Sequence, residues 1–176
     1  SAHQIVLNYS GFVFMVPLGL SMAITVCVGQ LIGKGELNAS KRLAFHGILL
    51  CLIISILGSY ISFFHPSLIC SIYTDVPEVQ NLAIPLLKIA AFVQIGDAMQ
   101  TAASFALRGM KDTKIPMIMN FISYWVVGFS ISYILGVVLD YGTKGVWLGL
   151  IVALLFAGIC QMLRLVYLTN KFNRLH

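Results

Sequence analysis

Five long apolar stretches separated by short polar turns set most of what this chain can become. They run over about Ile5 to Gly33, Leu43 to Phe64, Val79 to Leu107, Ile115 to Leu139 and Gly145 to Tyr167. About 20 apolar residues in helical form cross the hydrocarbon core of a bilayer, and every stretch reaches that length. Strands of a membrane barrel would instead show short alternating segments. Composition agrees: 59% of residues are hydrophobic and 10% charged, against roughly 25% charged in soluble domains. The expected fold class is an all-α integral membrane protein with about five transmembrane helices, and membrane lipid is its first implied partner.

A net charge of +5 could suggest a nucleic-acid partner, but the placement of the charges argues against one. Lys34, Lys41 and Arg42 lie between the first two stretches, and Arg108, Lys111 and Lys114 between the third and fourth. Arg164, Lys171 and Arg174 mark the end of the fifth. The alternate connections hold Lys144 with Asp75, Glu78 and Asp140. Basic residues thus mark one side, which the positive-inside rule makes cytoplasmic. The expectation is a multi-pass protein of the cell (inner) membrane with a cytoplasmic C-terminus.

One carboxylate stands well inside an apolar stretch: Asp97, near the middle of Ile89 to Leu107. A charged side chain at that depth costs about 2.5 kcal/mol or more, so it persists where it meets a partner or a wet cavity and marks an ion or substrate pathway. Gln94 precedes it by three residues, Gln100 and Thr101 follow by three and four, and Ser104 and Arg108 continue the series. At 3.6 residues per turn these share one face, which must meet protein or water rather than lipid. The fourth stretch adds Asn120, Ser123, Tyr124 and Gly128 at helical spacing, with Trp125, and the first adds Asn8, Ser21 and Thr25. Two readings stand for these groups: they converge with Asp97 on one cavity, or they join helices by hydrogen bonds. Asp97 is the candidate cation-coupling residue. Gln94, Gln100, Thr101, Ser104, Asn120 and Tyr124 are its candidate supports. Met15, Met22, Met99, Met117 and Met119 either line an adaptable pocket or face lipid and neighbouring helices.

The remaining signals are structural. Pro17 in the first stretch is expected to bend it near Phe14, as a hinge or a static kink. Gly29 with Gly33, and Gly145 with Gly149, are GxxxG pairs that permit close helix contact. Leu43 to Phe64 reads as a lipid-facing helix, and SLICSIY after His65 as a short interfacial helix. Lys88 can reach the headgroups. Cys27, Cys51, Cys70 and Cys160 lack CxxC spacing and read as small core residues. His3, His46, His65 and His176 avoid the span centres, and neither HExxH nor GxSxG occurs. No enzyme, cofactor or metal site is therefore expected, apart from Na+ at Asp97. The sequence opens SAHQ, with an apolar stretch almost at residue one and an odd number of spans. It reads as the C-terminal part of a longer transporter.

Three strings carry a family resemblance: AHQIVLNYSGFVFMVPLGLSMAITVCVGQLIGKGE, FVQIGDAMQTAASFALRGMKDTKIPMIMNFISYW and GVWLGL. Together they resemble the multidrug and toxic compound extrusion (MATE) transporters, in their NorM-like bacterial branch. LRGxxDTKxP followed by NxxxYW is the most specific part. The resemblance implies that residues 1–176 form the eighth to twelfth helices of a twelve-helix, two-lobe transporter. It further implies export of organic cations in exchange for Na+ or H+, with Asp97 as the coupling carboxylate of the tenth helix and Gln94 and Gln100 among the polar positions around it. The N-terminal lobe and a seventh helix, which often carries a second acidic residue, would be partners supplied from outside this stretch. Cys27 departs from an Arg that many relatives hold, which bears on a contact at the cytoplasmic end.

Asp97 can serve in either of two ways, by gaining and losing a proton as the cavity opens to each side, or by binding Na+ with oxygen ligands such as Thr101. Coupling between that ion and an exported cation is reciprocal. The competing functional readings are a flippase for lipid-linked precursors, which calls for basic side chains to meet phosphate, and a truncated, non-functional transporter fragment.

Overall fold

Within a bilayer every backbone N–H and C=O must find its partner inside its own segment, so each apolar stretch becomes a helix. The computed structural model describes residues 2–174, with side chains over 2–171. Ser1, Leu175 and His176 lie outside the described residues, as does the side chain of Arg174. In chain order the helices are α1 (Ala2–Gly33), α2 (Leu37–Phe64), a short α3 (Pro66–Tyr73), α4 (Pro77–Gly109), α5 (Lys114–Val138) and α6 (Gly142–Arg174). All except α3 are long and apolar enough to span. The chain is a multi-pass, all-α membrane protein.

α4 is the hub. It packs against α1, α2 and α6, whereas α5 reaches the bundle mainly through α6. Two apolar clusters sit at the two ends. At the basic end Ile24, Val28, Ile48, Leu107 and Leu165 are buried together, and at the other Val6, Ile69, Cys70 and Leu87. Burial in α3 pushes the Cys70 thiol pKa up. Lys41 Nζ donates to Asn170 Oδ1 at 3.5 Å, so the start of α2 and the end of α6 share the basic side.

Two turns on that side close alike. Gly35 takes φ +78° while the Glu36 N–H returns to Leu31 O at 2.9 Å; Lys111 takes φ 64° while the Asp112 N–H returns to Leu107 O at 3.0 Å. Both are six-to-one helix ends with a left-handed residue. The second aims Asp112 at α6, where Arg164 Nε donates to its carboxylate at 2.9 Å.

Several expectations change on contact with the structure. α2 does not face lipid all round: Ser40, Ser55, Ser59 and Ser62 are buried, and only its other face, with Leu49, Ile53 and Leu57, is exposed. Cys51 and Cys70 are core residues as expected, but Cys27 is exposed and Cys160 only partly covered. Pro17 stays inside α1 without ending it, and its carbonyl accepts hydrogen bonds from Ser21 Oγ at 2.7 Å and Cys51 Sγ at 3.7 Å. In the first GxxxG pair only Gly29 is in a close contact, beside Gly109 of α4; Gly33 is open. The second pair is buried against α5, where a Cβ on Gly145 would stand 2.6 Å from Gly136 N. α5 is not uniformly α-helical either. It winds as π-helix over Ile122–Gly128 and Ile134–Val138, so the 3.6-residue spacing assumed for Tyr124 and Gly128 does not hold there.

Candidate functional site

The face of α4 opposite its alanines carries the polar stripe. Ala102, Ala103, Ala106 and Leu107 turn into the basic-end cluster, which leaves Asp97, Gln100, Thr101 and Ser104 on the other side of the helix. Asp97 is partly buried, whereas Gln94, Gln100, Thr101 and Ser104 are buried. The structure divides Gln94 and Asp97 from Gln100 in two separate polar groups, with Thr101 beside the Asp97 carboxylate.

The first group borders a cavity of about 300 Å3. Its walls come from four helices: Ser10, Phe14 and Pro17 of α1, Ser55 of α2, Gln94 and Asp97 of α4, and Trp147 and Leu150 of α6. Gln94 Nε2 donates to Ser10 Oγ at 3.4 Å, and Gln94 Oε1 accepts from Ser59 Oγ at 3.4 Å. The Ser55 hydroxyl donates to the Gln94 backbone carbonyl at 2.9 Å. The result is an apolar chamber with a polar corner, and Asp97 is the one charged side chain among its described lining residues.

The second group is an amide cluster deeper toward the basic side. Asn120 Oδ1 accepts from Gln100 Nε2 at 2.9 Å and from Gln161 Nε2 at 2.6 Å, joining α4, α5 and α6. Gln161 is fully buried, and its Oε1 has no hydrogen-bond partner among the described residues. Sequence reasoning passed over Gln161. The available signal was its place as the one amide in the interior of the fifth apolar stretch.

Tyr124 lines a second groove of about 490 Å3 between α5 and α6, with Trp125, Phe129 and Tyr133, and lies close enough to Asp97 to feel its charge. The remaining candidates lie elsewhere. Ser21 and Thr25 do not reach the Asp97 cavity; Thr25 Oγ1 donates to Phe105 O at 2.7 Å and holds α1 to α4. Asn8 is exposed. The α1 hydroxyl that does enter the cavity is Ser10, which sequence reasoning did not single out. None of the five methionines noted above lines the cavity; Met15, Met22 and Met117 are exposed. Among the described residues no three His, Cys, Asp or Glu side chains gather to hold a metal.

With that geometry in hand, comparison with known proteins is decisive for the family. A family model described as MatE matches residues 1–134. The chain belongs to the MatE family. It is 39% identical over 173 residues to the probable multidrug resistance protein NorM of Bacillus thuringiensis subsp. konkukian (strain 97-27), a match covering 98% of this chain and 38% of that protein. It is 38% identical over 185 residues to the probable multidrug resistance protein NorM of Idiomarina loihiensis, covering 100% of this chain and 39% of that protein. The chain thus spans well under half the length of these MatE relatives. Its fold matches the crystal structure of the eukaryotic MATE transporter AtDTX14 with a TM-score of 0.86 at 17% identity, over 98% of this chain and 40% of that one.

Proposed function

We propose that this chain is the C-terminal part of a secondary multidrug exporter, which expels organic cations in exchange for inward-moving Na+ or H+. In this reading Asp97 is the coupling carboxylate, and Gln94 with Ser10 forms the polar corner beside it. The observation that carries the proposal is the Asp97 cavity: a carboxylate within a membrane-length helix, bordering a chamber that is apolar apart from Ser10, Ser55 and Gln94. Placing charge at that depth costs about 2.5 to 3.5 kcal/mol on insertion scales, an expense that a purely structural polar contact avoids by using Asn or Ser. The NorM relatives, named as multidrug resistance proteins, support the same reading.

Exchange follows from one anionic group serving two guests. A proton or Na+ at Asp97 neutralises it and weakens its hold on an organic cation, and by linkage the cation weakens the hold on the ion to the same degree. The missing helices supply the other wall of the transport path, the side basic in charge faces the cytoplasm, and the membrane is the inner membrane of the cell. The flippase alternative is disfavoured because no Lys or Arg is among the residues lining the cavity, where a phosphate headgroup would need one.

The test is ethidium efflux from cells expressing the full-length transporter that contains this segment, with Na+ and H+ gradients imposed separately. Asp97→Asn is expected to abolish gradient-driven efflux while membrane insertion persists. Undiminished efflux in that variant would overturn the assignment of Asp97. Absence of efflux from the unmodified transporter would favour the non-functional reading.

A further inference from the structure

GVWLGL is one of the three strings that mark the family resemblance, and coupling at Asp97 gives it no task. The structure places its tryptophan in the same cavity as Asp97, through α6 rather than α4. The two helices run side by side in the same direction, since Gly96 faces Leu154 and Gly158 faces Met99. Trp147 lies seven residues before Leu154, and at 1.5 Å per residue that puts it about 10 Å outward of the Asp97 level. It packs against the outer apolar cluster, and its ring meets that of His3 at 5.8 Å between centroids with an 87° interplanar angle. The ring is therefore held in place rather than free to swing into lipid.

The cavity has two chemically different ends. Around Asp97 stand oxygen and amide groups, Ser10, Ser55 and Gln94, which suit a small hard cation or a proton. Nearer the start of α1 stand Trp147 and Leu7, which offer nothing to a hydrated ion. An indole is the strongest of the aromatic side chains in attracting a cation to its face. A lipophilic organic cation can satisfy both ends, spanning the distance between them.

We propose that Trp147 is the residue through which this cavity recognises lipophilic organic cations, the guest lying against the indole with its charge directed toward Asp97. This rests on the exporter reading and adds a division of labour to it: the ion uses the Asp97 end alone, whereas the exported cation uses both.

The experiment uses the full-length transporter in proteoliposomes, with ethidium as the probe and the driving ion varied. Trp147→Leu keeps an apolar side chain and is expected to raise the ethidium KM about three- to thirtyfold, while the half-saturating ion concentration, measured at the same multiple of that KM, stays where it was. Trp147→Phe should recover part of the loss, and it stands in if the leucine variant fails to accumulate. An ethidium KM unmoved in both variants overturns the proposal. So does a parallel shift in the ion dependence, which is the mark of a collapsed cavity. Two controls separate the claims: absence of efflux from the unmodified transporter defeats the exporter reading, and persistent efflux in Asp97→Asn defeats the assignment of Asp97, whatever Trp147 does.

Discussion

The α1–α2–α4 group and the α5–α6 pair solve one problem in two ways. Helices in lipid gain little from burying apolar faces against each other, so packing and hydrogen bonds must hold them. The first group uses hydroxyls: Ser55 and Ser59 of α2 donate to the Gln94 and Ala91 carbonyls of α4 at 2.9 and 2.8 Å, and Thr25 of α1 donates to Phe105 O. The second uses absence of side chain. Gly128 faces Ala153, Ser132 faces Gly149 and Gly136 faces Gly145, an antiparallel ladder with a rung every four residues. Asn120 and Gln161 add a rung in the same register, as a 2.6 Å hydrogen bond. The hydroxyl-bonded group builds most of the Asp97 cavity, while the ladder holds α5 to α6, the helix that carries Trp147. Removing a hydroxyl subtracts an interaction, whereas adding a methyl to the ladder forces backbones apart.

The largest effect is therefore expected at Gly145→Val. Even a Cβ there would stand 2.6 Å from both Gly136 N and Leu135 C, backbone atoms that no rotamer change can move. Overpacking of this kind costs about 1–3 kcal/mol and occasionally more. Unfolding in mixed micelles should show a loss at the top of that range. Gly19→Val, with nothing within 4 Å of its added Cβ, is the control and should change stability by less than about 1 kcal/mol, since valine is no worse a helix former than glycine. Equal losses at the two sites would show that the ladder does not hold α5 to α6.

This contrast was only half legible in the sequence. Length and hydropathy determine the helices, because a bilayer permits nothing else, and Asp97 stands out because a buried charge is costly. The GxxxG spacing was visible at Gly145 and Gly149, yet nothing in the spacing says that Gly33, in an identical motif, meets open space. That depends on which helix lies opposite. Ser55 and Ser59 looked like incidental polar residues on a lipid-facing helix, since a lone serine reveals no partner carbonyl. Gln100 and Asn120 read as supports for Asp97, but Asn120 Oδ1 joins both to Gln161 on a third helix, a partner that spacing within one helix cannot anticipate. Trp147 was legible as a family mark and silent as to its cavity.

A middle-sized effect is expected where the ladder becomes polar. Asn120→Leu removes the acceptor shared by two buried donors, Gln100 Nε2 and Gln161 Nε2. Each orphaned amide costs about 1–3 kcal/mol, moderated in a membrane by partners available in the unfolded state. Gln161→Leu should cost less, because it also removes Oε1, a buried acceptor that has no partner to lose. The ordering, Asn120→Leu worse than Gln161→Leu in the same unfolding measurement, is the informative result. The reverse ordering would mean that Gln161 is held by something other than Asn120.

The smallest effects belong to the hydroxyl-bonded group. Ser55→Ala and Ser59→Ala each delete a donor, but the carbonyls they address, Gln94 O and Ala91 O, sit in the interior of α4 and keep their own helical N–H partners. Ser55→Ala orphans nothing buried, Ser59→Ala frees only a long contact to Gln94 Oε1, and no backbone has to move to accommodate a smaller side chain. Each change should therefore cost about 0.6 kcal/mol, the average for a hydrogen bond between membrane helices. Ser59→Ala should slightly exceed Ser55→Ala, since Ser59 Oγ also reaches Gln94 Oε1 at 3.4 Å and its loss frees the amide at the corner of the Asp97 cavity. That second contact gives the pair a functional readout: the Ser59 variant should shift the ion dependence of efflux, whereas the Ser55 variant, which touches only the Gln94 backbone, should shift it less. If either serine proved as costly to stability as Gly145→Val, the two halves of the bundle would not be held together by different means.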